Sequence, residues 1–77
     1  MNVAQKNITR RDQMKVLRKK LNLSQHDLAM KIGCTENHIR FIERGINDPS
    51  SRMANAICHA LKSDVYTVFP DIFKKNS

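Results

Sequence analysis

Seventy-seven residues leave room for one domain with a modest core and none for a second catalytic or sensing domain, because short chains bury a smaller share of their surface. Fourteen Lys and Arg against seven Asp and Glu give a net charge of +7, which favours an anionic partner and solubility without naming that partner. Lys6, Arg10, Arg11, Lys15, Arg18, Lys19 and Lys20 stand against Asp12 alone, so +6 of that charge falls within the first twenty residues.

Cys34 and Cys58 are too few for a disulfide framework and lack Cys-x-x-Cys spacing, which predicts free thiols in a reducing compartment. Met1 to Asn7 contains no apolar signal core, and no apolar run approaches the roughly 20 residues that span a bilayer. A cytoplasmic protein without a membrane segment is expected.

Residues 1–8 read as a flexible basic arm, 9–69 as one folded domain and 70–77 as a short tail. The spacing predicts an all-α chain of five short helices with no alternating β-branched run. Helix one opens at Thr9-Arg10-Arg11-Asp12, where a Thr with an acid three residues later resembles a capping box, and carries Met14, Leu17 and Leu21 on one face. A second box, Ser24-Gln25-His26-Asp27, starts helix two, whose inward residues are Leu28, Ala29 and Ile32 and whose end is marked by Gly33. Thr35 caps helix three, which runs from Glu36 toward Arg44 with Ile39 and Ile42 inward and Gly45 ending it. Gly33 to Thr35 is a three-residue connection of the kind that joins the two helices of a helix-turn-helix. Ser50 caps a fourth helix with Met53, Ile57, Ala60 and Leu61 at helical spacing, and Val65, Val68 and Phe69 form a last short segment stopped by Pro70.

The run Leu17-Arg18, Leu23-Ser24-Gln25, Leu28-Ala29, Ile32-Gly33, Ile39, Ile42-Glu43-Arg44-Gly45 and Pro49-Ser50 closely resembles the Cro/C1-type helix-turn-helix family over roughly residues 10–69. The resemblance implies a five-helix, lambda-repressor-like DNA-binding domain, often dimeric, whose second motif helix lies in the major groove of an operator. Here that helix would be Glu36 to Arg44. Glu36, Asn37, Arg40 and Phe41 are then the candidates for base contact. Asn37 pairs bidentately with adenine or is a solvated surface residue; Glu36 accepts from cytosine or only stabilises the helix start. Phe41 departs from the polar residue many relatives carry there, and either packs on a thymine methyl or covers the core edge.

Gln25 matches a position from which relatives bond a phosphate, and Ser24, Thr35, His38 and Arg44 are further candidates for the backbone. Ser24 is also an N-cap, a role that can coexist with phosphate contact. Arg10 and Arg11 open a helix whose dipole disfavours cations, so phosphate contact is expected of them, whereas Lys19 and Lys20 suit a solvated last turn. Arg18 and Glu43 match a pair that in this family forms a buried ion pair; the alternative is two unrelated surface charges.

His26, His38, His59 and the cysteines lack the paired spacing of structural zinc sites, and no nucleophile–base pair or Gly-rich phosphate loop is present. Neither metal, cofactor nor catalysis is expected. A homodimer on double-stranded DNA is the leading expectation. The rival is an antitoxin-like interaction module that binds DNA only beside a protein partner, with Asp71-Ile72-Phe73-Lys74-Lys75 available for dimerisation or that partner.

Overall fold

The computed structural model describes residues 10–74, so the expected arm over 1–8 and the Thr9 cap lie outside the described residues. Five helices follow in order: α1 (Asp12–Lys20), α2 (Gln25–Ile32), α3 (Glu36–Glu43), α4 (Ser51–Ala60) and α5 (Val65–Val68). Among the described residues there is no strand.

Local chemistry sets four of the five helix starts. Ser24 Oγ accepts from the Asp27 amide while the Asp27 carboxylate accepts from the Ser24 amide, a complete capping box. Thr35, Ser50 and Asp64 each accept from the amide three residues ahead. α1 differs from the expectation: its N-cap is Arg11, without a side-chain cap, and the helix begins at Asp12. Gly33 ends α2 at φ +81, where its amide and that of Cys34 both reach the Ala29 carbonyl. A Cβ there would meet nothing within 4 Å, so the left-handed backbone and not space calls for glycine.

α3 packs chiefly on α2, α2 also on α4, and α1 and α5 close the remaining sides. Met14, Leu28, Ala29, Ile39, Ile42, Ala54, Ile57, Leu61, Val68 and Phe69 form the buried centre with Cys58. Burial, together with Asp64, pushes the Cys58 thiol up to about 11, which keeps it protonated and inert at neutral pH.

Beyond α5 the chain turns back instead of leaving the surface. The Phe69 carbonyl accepts from the amides of Ile72 and Phe73, and both side chains are partly buried against the core. The folded unit therefore runs through Phe73, past the boundary expected at residue 69.

Arg11 is the largest departure from the sequence reading, which expected it at a phosphate. Its side chain is 1% exposed, and all five guanidinium N–H groups have partners inside the protein. Nε and Nη2 donate to the two oxygens of Asp71 at 3.2 and 2.7 Å, and Nη2 also to Asp48 at 2.7 Å. Nη1 donates to the carbonyls of Ile42 and Asn47 at 2.8 and 2.9 Å, and the guanidinium lies 5.3 Å from the centre of the Phe69 ring. Burial by itself would raise the Asp71 carboxyl, but the Arg11 hydrogen bonds and charge outweigh it and hold that carboxyl below its usual value. Burial likewise opposes the charge on Arg11, and the two carboxylates more than restore it. The pair is ionised at neutral pH.

Candidate nucleic-acid interface

α3 has two unlike faces because its apolar residues recur at helical spacing. Ile39 and Ile42 are fully buried, while Glu36, Asn37 and Phe41 point outward with Arg40 beside them. The polar residues of the outward face are joined to one another. Arg40 donates from Nη1 to Asn37 Oδ1 and from Nη2 to Glu36 Oε2 at 3.4 Å, and His26 Nδ1 on α2 stands 3.7 Å from the other Glu36 oxygen. Phe41 is 36% exposed at the outer edge, and the exposed Ile46 follows it, its amide bonded to the Phe41 carbonyl. Side chains that donate, accept and offer an apolar edge thus share one surface of an eight-residue helix about 12 Å long. A B-DNA major groove of roughly 12 Å admits such a helix.

Behind that surface the motif is braced from within. Arg18 Nε donates to Glu43 Oε2 at 2.6 Å and Nη2 to Oε1 at 3.2 Å, with both side chains 6% exposed. Arg18 Nη1 also donates to the Leu23 carbonyl at 2.8 Å. Gln25 Nε2 donates to Glu43 Oε1 at 3.1 Å, so the start of α2, the last turn of α1 and the end of α3 meet at one carboxylate. No buried side-chain polar atom among the described residues lacks a partner.

Beside α3 lies a cleft of about 230 Å³ between the start of α1 and the α2–α3 pair. Arg10 just before α1, Lys15 on α1, Arg40 on α3 and Arg44 just after α3 reach it, together with Gln25. Asp12, Glu43 and Arg11 complete the lining, but Glu43 is matched by Arg18 and Arg11 by its own carboxylates. The remaining balance is strongly cationic, which suits a phosphodiester. Lys15 carried no individual role in the sequence reading; the signal was its place one turn after Arg11 on the outward side of α1.

Of the expected backbone-contact residues, the structure gathers Arg10, Gln25 and Arg44 at this cleft and removes Arg11 from it as a donor. Ser24 and Thr35 act as N-caps, their oxygens accepting from backbone amides. His38 is half-buried on the shoulder of α3. Among the described residues no three His, Cys, Asp or Glu side chains group as metal ligands, and no helix is long and apolar enough to cross a membrane.

Comparison with known proteins agrees with this geometry. Residues 14–67 match the Helix-turn-helix family model HTH_3. An uncharacterized HTH-type transcriptional regulator of Archaeoglobus fulgidus is 30% identical over 59 residues, covering 77% of this chain and 83% of that protein. A crystal structure of the clp gene regulator ClgR from Corynebacterium glutamicum superposes with a TM-score of 0.68 at 24% identity over 77% of this chain. That match spans 63% of the ClgR chain, so this chain corresponds to somewhat under two thirds of it. A second ClgR structure gives a TM-score of 0.67 at 25% identity, covering 73% of this chain and 72% of that one. At such identities the ClgR likeness concerns the fold.

Proposed function

Because this chain belongs to the helix-turn-helix family of DNA-binding transcriptional regulators, we propose that it recognises a specific operator with α3 in the major groove and represses transcription by occupying it. The observation that carries this reading is the pairing of the exposed Asn37–Arg40–Glu36 surface with the cationic cleft next to it. Base edges in the groove are read by bidentate amide and guanidinium groups, and the flanking phosphate takes the cleft.

An eight-residue helix reaches only a few base pairs, roughly 3.4 Å apart, too few to single out one genomic site. A homodimer on two half-sites about one helical turn apart supplies the missing length. Asp71, Ile72 and Phe73 of the tail, which was open to dimerisation or to a protein partner alike, are used by the domain itself, so the tail favours neither reading over the other.

Asn37 and Arg44 separate the two kinds of contact. Asn37→Ala is expected to lose about 1–3 kcal/mol on the preferred duplex and to relax the preference at one base pair, with little loss on random DNA. Arg44→Ala is expected to weaken both by similar factors and to reduce the slope of log K against log salt by about one unit. Titrating both variants against both duplexes at several salt concentrations checks this. Equal losses for Asn37→Ala on both DNAs would place α3 outside the groove.

A further inference from the structure

The bonds of Arg11 reach further than stability, because they join three segments at the edge of the proposed interface. Its backbone amide donates to the Glu43 carbonyl at 2.9 Å, and its side chain donates to the Ile42 carbonyl, both at the last turn of α3. The same guanidinium holds Asn47 and Asp48 of the following loop and, by two bonds, Asp71 beyond α5. Arg10 immediately precedes Arg11, and Arg44 immediately follows Glu43. Seating the start of α1 on the end of α3 therefore brings Arg10 and Arg44 to one cleft from opposite sides.

The two carboxylates contribute unequally. Asp48 is 71% exposed on its side chain and can swing into solvent, whereas Asp71 is 23% exposed and grips Nε and Nη2 with both oxygens. A bidentate carboxylate fixes the plane of a guanidinium as well as its charge. Phe69 flanks the guanidinium, and its carbonyl turns the chain back so that Ile72 and Phe73 rest on the core.

We propose that Arg11 and Asp71 are positioning residues for DNA binding: the C-terminal turn is a latch that, through Arg11, sets the end of α3 and the Arg10–Arg44 cleft. The proposal rests on the DNA-binding reading above. A segment outside the α2–α3 motif thereby governs phosphate contact without touching DNA.

The test compares wild type with Asp71→Asn, Arg10→Ala, their combination, and Phe73→Ala, at a temperature where circular dichroism shows each variant folded. Phe73→Ala loosens the apolar packing that seats the same turn but keeps the Asp71 carboxylate. Affinity for a duplex selected by the wild type is read together with amide exchange at Arg44, Gly45 and Ile46 in the free protein. Asp71→Asn is expected to speed exchange at these amides and weaken binding by roughly tenfold, and Phe73→Ala to act in the same direction but by less, because the Asp71 carboxylate remains. Arg10→Ala is expected to cost several-fold less in the Asp71→Asn background than alone, because the cleft is already displaced. Arg11→Lys, which keeps the charge without the planar fork, repeats the Asp71→Asn pattern if that variant does not fold. A folded Asp71→Asn protein with wild-type affinity and exchange, or strictly additive Arg10 and Asp71 effects, overturns the proposal. A wild type that binds no duplex at all overturns the DNA-binding reading instead, and the exchange comparison then decides the latch alone.

Discussion

Glu43→Ala is expected to destabilise the fold by about 3–5 kcal/mol, a large share of the roughly 5–10 kcal/mol that holds a domain of this size together. The reason is what the substitution leaves behind. Arg18 would keep its bond to the Leu23 carbonyl but lose both carboxylate oxygens, in a place where its side chain is almost wholly shielded from water. An uncompensated buried guanidinium is costly even where the intact pair contributes little against an apolar substitute. Gln25 would lose its acceptor at the same time. Glu43→Gln, which retains an oxygen for Arg18 Nε, should recover part of the loss. Urea denaturation monitored by circular dichroism measures both, and a midpoint that hardly moves in Glu43→Ala would mean that the pair does not brace α1 against α3.

The second large effect concerns the cleft. Arg10, Lys15 and Arg44 converge there from two helices, and each neutralised phosphate contributes about −0.9 to the slope of log K against log salt. Changing all three to Ala should make that slope shallower by roughly 2.7 and weaken binding to specific and random duplexes alike. Arg11 does not belong in this set, although it stands beside Arg10 in the sequence. Its replacement should appear as lost stability and a displaced cleft, not as the loss of one direct phosphate contact, because its charge is already matched by Asp71 and Asp48. Titration of the triple variant across a salt series checks the expectation; an unchanged slope would mean that the cleft faces solvent in the complex.

The contrast between Arg10 and Arg11 shows where a sequence is legible and where it is not. Helix positions were readable because caps and apolar spacing are local: Ser24 with Asp27, Thr35, Gly33 and the Ile39–Ile42 pair act within one or two turns. Arg18 and Glu43 were readable as a pair through a resemblance that specifies both positions, and the structure brings them to 2.6 Å. Arg11 was not. Its partners are 31 to 60 residues away and include two backbone carbonyls, which carry no residue-type signal. Reading helix dipoles alone sends a cation at a helix start outward to phosphate; in the fold, two acids and the carbonyl end of α3 meet it there. The place of the tail is hidden in the sequence for a related reason, since Ile72 and Phe73 pack against the core only once the Phe69 carbonyl turns the chain. Asn22 and Lys62 hold left-handed backbone at the ends of α1 and α4 without the glycine that usually marks such turns. The polar face of α3 was legible as a set of residues but not as a connected one. Arg40 ties Asn37 and Glu36 together in the free protein, so the proposed base reading by this face would exchange those bonds for contacts to DNA.

Selection of bound duplexes from a random pool tests most directly whether this surface reads sequence. The wild-type protein is predicted to enrich one motif composed of two symmetry-related half-sites centred about 10 base pairs apart, and Asn37→Ala to lose the preference at one position within each half-site. A pool that emerges without any preferred sequence, bound only through salt-sensitive contacts, would contradict base reading by α3 and reduce the protein to a backbone binder.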